Sequence, residues 1–438
     1  MTASNVILGA GVTGLAAGFV SGLPIYEALD HPGGVCSSYY MRPGSSERLL
    51  DPPANGETYR FEKGGGHWIH SRDQILLHFI QSIVPMKSYT RVSSVYFPDK
   101  DLFVPYPLQN NLRYLGPKIA ANALSEMIES QCYKGPVETM ADWLLVNFGP
   151  TLCKLFFHPF HELYTGGLWE SISAQDSYKS PINRVLAIRG AFGESALAGY
   201  NIKFFYPEKG LNSLVRRMTV ASRVNYVKRV VRIDVNHKKL IFDDDTVVRY
   251  NKLISTLPLN RVLEISKMEV NLKSDPYTSV LVLNIGAVRG SRCPKEHWVY
   301  IPKSKSGFHR VGFYSNVDGS FLPASCSTSQ DRVSLYVEKA YAEQTKPTFN
   351  EINEVIKGII RELVGWEWIN EPELIDHNWI EVAYSWSWPR SCWQLQALEA
   401  LQEHHIFQAG RFARWQTQGI ADSIKDGIML GSVFKAIQ

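Results

Sequence analysis

An α/β fold built around a parallel sheet is predicted by three observations. An apolar run enters a glycine-rich turn at residue 9, a second apolar strand returns near residue 254, and a third, near residue 406, feeds a Gly-Arg turn and a helix. Strands that leave and re-enter one sheet in this way are the parts of a doubly wound core carrying long excursions.

The first stretch organises the rest. Val6-Ile7-Leu8 runs into Gly9-x-Gly11-x-x-Gly14, followed by the small residues Leu15-Ala16-Ala17-Gly18. This reads as strand, turn and helix, a Rossmann-like dinucleotide unit: Gly9 for the sharp turn, Gly11 for backbone approach to a pyrophosphate, Gly14 for close strand–helix packing. The next apolar run, Leu23–Tyr26, ends in Glu27, placed to accept from an adenosine ribose hydroxyl. So little chain separates Gly14 from Glu27 that the spacing predicts a crossover helix of roughly two turns.

A chain of 438 residues is too long for one core and implies two intertwined domains. The formal charge of +4 is mild, which argues against a nucleic-acid surface or a strongly anionic membrane partner. Cysteines at 36, 132, 153, 293, 326 and 392 form no C-x-x-C pair, the pattern of reduced thiols in a cytoplasmic protein. The motif at residue 9 leaves no space for a cleavable signal, and no apolar run reaches the roughly 18–20 residues of a membrane helix, so a soluble protein is expected.

After Glu27, the pair Gly33-Gly34 forms a turn able to offer backbone N–H groups to an anion. A strand at 59–62 leads into Gly64-Gly65-Gly66-His67-Trp68, whose glycines let the backbone lie against a flat group with His67 beside it. Helical spacing marks 71–84, 112–129 and 139–148, so residues near 72–200 are expected to be largely helical. His158 and His161 stand at i, i+3, but without further ligands at suitable spacing no metal site is assigned. A strand at 201–207 and a helix at 211–218 precede short β runs from 224 to 250, a small meander that returns to the sheet at 252–258. Strand-rich sequence resumes at 279–285, 297–301, 309–314 and 333–338, and 350–364 is an amphipathic helix. The tryptophans and tyrosines of 379–393 read as core or pocket wall. Gly410-Arg411, after the last strand and before a helix opening near Ala421, is a second place where N–H groups and a cation meet phosphate.

The order of these pieces resembles the FAD-dependent amine-oxidase superfamily, in particular its UDP-galactopyranose mutase-like and protoporphyrinogen oxidase-like branch. The matching stretches are Gly9–Gly14 with Glu27 and Gly33-Gly34, Gly64–His70, Phe156–Gly166, Tyr206-Pro207 with Gly210, Ile254–Leu259, Phe308–Val311, and Gly410-Arg411 through Asp422, spread from one end of the chain to the other. The resemblance implies a GR2-type flavoprotein: a discontinuous FAD-binding domain (1–71, 205–265 and 376–438) with an inserted mixed α+β substrate domain (72–204 and 266–375). It implies that Gly65, Gly66 and His67 lie beside the isoalloxazine, that Arg411 touches the FAD pyrophosphate, and that Arg310 holds a substrate anion near the flavin, a role suited to a guanidinium. Where the mutases carry a tryptophan this chain has Thr165, and where they carry a tyrosine in the tail it has Thr417; Tyr164, Trp169 and Trp415 are the candidate replacements.

The function implied is an FAD-dependent oxidoreductase that removes hydride from a small polar substrate, a nucleotide-linked or phosphorylated sugar or amino sugar. His67 is expected to tune the flavin or relay a proton near its ordinary pKa of about 6.5. Two alternatives stay open: a redox-neutral mutase-like isomerase, and an FAD-binding protein without turnover or a nicotinamide enzyme using the same fingerprint. No second GxGxxG occurs, which weighs against nicotinamide.

Overall fold

Val6, Ile7 and Leu8 are buried to within 1% on both faces of the strand Ser4–Leu8, as expected of a central parallel strand. The computed structural model, which describes residues 4–130, 133, 135–174, 181–194, 202–329, 331–342 and 346–436, sets Ile7 level with Ile25 on one side and Ile254 on the other. Arg223–Asn225 extends this sheet beyond Pro24–Tyr26, and Ile406–Gln408 runs parallel to residues 253–255. Val230–Asp234 and Lys239–Phe242 complete seven strands as an antiparallel meander against the start of Val247–Ser255. One long strand thus begins in the meander and ends in the parallel core, which explains the return near residue 254.

The helix after the motif is Val12–Ser21, ten residues or nearly three turns rather than the two expected. It gains length by starting inside the motif, with Gly11 as N-cap, and stops at Gly22, which is left-handed at φ +69. It packs on the last helix, Ile420–Ala436. A Cβ on Gly427 would lie 2.2 Å from the Thr13 carbonyl oxygen and one on Gly431 2.5 Å from that of Ala17, so glycine there is what allows the close approach.

A second seven-stranded sheet runs in the order Ile369–Ser385, Tyr277–Arg289, Arg332–Ala342, Arg310–Phe313, Trp298–Tyr300, Ser93–Phe97, Leu102–Pro105. The sequence reading underestimates two of these strands. Tyr277–Arg289 spans 13 residues, and Ile369–Ser385, with 17, absorbs part of the aromatic cluster expected only as a wall. The helix Phe349–Gly365, closed by a Thr348–Glu351 capping box, buries Ile359 and Leu363 against Trp368 and this sheet.

Between the sheets in sequence lie helices Gln74–Ile83, Pro117–Glu129, Met140–Leu152, His158–Thr165 and Arg184–Ala191, matching the helical expectation for the described part of 72–200. Asp73 caps the first by accepting from Ile75 and Leu76 N–H. The helix expected over 112–129 is divided at Gly116 (φ +86), because Pro117 opens a new helix. Among the described residues, no helix is long and apolar enough to cross a membrane.

Candidate active site

At one end of the site the backbone does the shaping. Gly9, at φ +92, donates its N–H to Tyr26 O, and a Cβ there would lie 2.3 Å from Thr256 Oγ1. A Cβ on Gly14 would sit 1.9 Å from Gly9 O, so that glycine serves packing alone. Gly11 differs: nothing lies within 4 Å of its Cβ position, which looks into open space. Gly33 (φ +110) donates to Ala10 O, and Gly34 (φ +58) lies with its Cβ position 3.5 Å from Gly11 Cα, laying the second turn on the first. The Glu27 carboxylate accepts from Ala10 N–H at 2.7 Å and Leu29 N–H at 3.0 Å, which fixes its direction at the rim of the turn. Gly410 (φ +86) docks against Thr13, its Cβ position 2.4 Å from Oγ1, so the carboxy-terminal turn meets the first turn of the motif helix.

The other end is shaped by side chains. Cβ positions on Gly65 (φ +76) and Gly66 lie 3.0 Å from Glu338 Oε1 and 1.9 Å from the Tyr336 hydroxyl, so the triple-glycine segment lies flat on the second sheet. His67 opens in part onto the space beside it. Its Nδ1 is shielded and without a partner among the described residues. Burial, offset in part by Glu338, pushes the ring down to about 4, so His67 is neutral at pH 7. The expectation of a proton relay near its ordinary value is corrected accordingly.

Arg310, expected to hold a substrate anion, already has a carboxylate partner. It stands directly across from Glu338 on adjacent antiparallel strands and forms an ion pair with it, the two side chains 15% and 2% exposed. Burial alone would raise the Glu338 carboxyl; Arg310, with His309 Nε2 at 3.5 Å, holds it well below the usual range instead. Tyr384 OH lies 3.5 Å from the same carboxylate. Arg310 Nε, Trp298 Nε1 and Trp68 Nε1 are buried donors with no partner among the described residues. Arg411 spends two donors on carbonyls, Gln418 O and Ala383 O, both at 3.0 Å, and its guanidinium lies 5.4 Å from the Tyr384 ring centre.

These two ends share one cavity of about 510 Å³. Gly9, Gly11, Glu27, Gly33, Gly34, Gly66, His67, Arg310, Gly410 and Arg411 all line it; Gly14 and Gly65 stand behind the wall. Of the candidate replacement aromatics Tyr164 reaches the cavity, as does Thr417 itself. Trp169 instead donates to Glu162, and Trp415 is buried against Trp393. Thr165 is fully buried and donates to His161 O. Sequence reasoning missed Lys63, Trp298, Tyr300 and Glu338 as wall residues. Glu338 left the one visible signal, a carboxylate ending the apolar run 333–338.

A family model for flavin containing amine oxidoreductases matches residues 17–429. Among solved structures, a reduced UDP-galactopyranose mutase superposes with a TM-score of 0.82 at 22% identity, over 100% of this chain and 96% of that one. A putative protoporphyrinogen oxidase from Exiguobacterium sp. 255-15 gives 0.71 at 14% identity over 100% of both chains. Wild-type putrescine oxidase bound to putrescine gives 0.58 at 16% identity over 99% of each. At such identities these likenesses establish a shared fold.

Proposed function

The chain belongs to the flavin-containing amine oxidoreductase family, and from that premise we propose that it is an FAD-dependent oxidoreductase of a small polar substrate, a phosphorylated or nucleotide-linked sugar or amino sugar. The residues present fit FAD. The open Cβ position of Gly11, the turn at Gly33-Gly34 and the docked Gly410 leave a backbone-lined cradle for a diphosphate, with Glu27 at the ribose end. The flat Gly65-Gly66 segment leaves room beside His67 for a ring system. When bound, FAD supplies a hydride acceptor.

The protein's part is binding and orientation. The observation that carries the reading is a single cavity that joins the glycine cradle at Gly11, Gly33 and Gly34 to walls carrying His67, Arg310 and Arg411. Glu338 fixes the plane of the Arg310 guanidinium beside the space for a substrate anion, and neutral His67 stands beside the space for the ring system. Tyr164, Tyr300, Trp379 and Tyr384 provide apolar faces that exclude water around the reacting bond. The free cysteines at 36, 153, 293, 326 and 392 support a reducing, cytoplasmic setting.

The test is anaerobic addition of sugar phosphates, nucleotide sugars and their amino forms to the oxidised holoenzyme, following the flavin absorbance band. Bleaching by one donor, with an oxidised product, is expected. Turnover confined to pre-reduced enzyme, giving an isomer, would overturn the proposal in favour of a mutase-like reaction.

A further inference from the structure

A diphosphate brings two negative charges into the cradle, and the cations lining the cavity differ in what they have left to offer. His67 is neutral, Arg310 is committed to Glu338, and Arg411 spends two of its donors on backbone carbonyls. Lys63 lines the same cavity, and its ammonium has no carboxylate or hydrogen-bond partner among the described residues. Its position is set by the backbone: Lys63 N–H donates to Ser37 O at 2.9 Å, tying it to the loop that carries Gly33 and Gly34. That loop bridges Gly33 to Gly11 in parallel register, so the backbone of Lys63 is tied to the part of the wall that carries Gly33, Gly34 and Gly11.

We propose that Lys63 is the counter-charge to the cofactor's phosphates, an ionic contact added to a cradle otherwise made of backbone N–H groups. The inference rests on the FAD reading above. A half-buried ammonium without a partner is costly to keep, and burial pulls Lys63 below its ordinary range even though Glu27 and Asp30 favour its charge. A bound phosphate reverses that cost, because a charge-assisted contact forms where the amine is already desolvated.

The test uses purified holoenzyme, its flavin removed and then titrated back as FAD, FMN or riboflavin, with binding read from quenching of flavin fluorescence. Lys63→Met is expected to weaken FAD about 10- to 100-fold and to leave riboflavin, which has no phosphate, unchanged. Lys63→Arg is expected to restore most of the FAD affinity, and high salt to weaken the wild type more than Lys63→Met. FAD affinity unchanged in Lys63→Met would overturn the assignment, as would an equal loss for riboflavin. Normal FAD binding with lost response to substrate would place Lys63 on the substrate and equally overturn it. A wild-type protein that binds no flavin at all would instead refute the FAD reading itself. Thermal unfolding of each flavin-free variant, expected to match the wild type, separates lost binding from lost fold.

Discussion

The two ends of the cavity are built from different materials. The end at the motif is backbone, with Gly9, Gly11, Gly33, Gly34 and Gly410 forming its turns; the opposite end, proposed for the ring and the substrate, is side chain, with Arg310, Glu338 and aromatic rings on the second sheet. Backbone recognition tolerates no added Cβ but is indifferent to the identity of distant residues. Side-chain recognition depends on which charges the strand register sets opposite one another, so it is the part in which substrate differences are expected.

The sharpest way to break this comparison is at two glycines of one motif. Gly14→Val puts a branched side chain where 1.9 Å separates the Cβ position from Gly9 O, and should cost more than about 3 kcal/mol and lose the folded protein. Gly11→Val has open space for its Cβ and should leave the flavin-free protein folded, with an unchanged thermal midpoint, yet devoid of flavin. Yellow Gly11→Val protein would refute the cradle.

At the side-chain end the effects should be of another kind. Glu338→Ala leaves the Arg310 guanidinium buried without its partner, an expected loss of about 3–5 kcal/mol in chemical denaturation. Because the folded-state Glu338 carboxyl titrates below its unfolded value of about 4.3, the ion pair contributes fully above that pH and is lost as the pH falls below it. Glu338→Gln should therefore flatten the acid limb of the stability profile. Arg310→Ala should keep its flavin content and weaken substrate binding about 10- to 100-fold; loss of flavin would mean that Arg310 serves the cradle instead.

The smallest effect expected is that of His67. With its folded-state value lowered to about 4 from an unfolded value of about 6.5, the ring contributes stability that is complete above pH 6.5 and declines as the pH falls towards 4. His67→Gln should be near neutral at pH 7.5 and should remove that decline, measured as thermal midpoint against pH. A proton resonance of His67 titrating near 6.5 in the flavin-free protein would contradict the lowered value.

Much of the cradle was legible in residue order because its physics is local. A left-handed glycine, a strand ending in apolar residues and an acid at the end of the next strand constrain only a few neighbours each, so Gly9, Gly33 and Glu27 could be read where they stand. Even there, helix length was misjudged: Gly11 caps a helix that begins before Gly14, and the spacing from Gly14 to Glu27 could not show this.

By itself, then, the sequence determined the parallel sheet, the glycine turns and the presence of an arginine at 310. Only the tertiary structure decided what that arginine faces. Arg310 and Glu338 lie 28 positions apart and become neighbours through the register of two antiparallel strands. The charge state of a buried group depends on everything packed around it, and that environment exists only once distant segments have met. The same reason separates Lys63 from Arg310: both are single basic residues in sequence, and folding pairs one with a carboxylate and leaves the other on the cavity wall without an ion pair among the described residues.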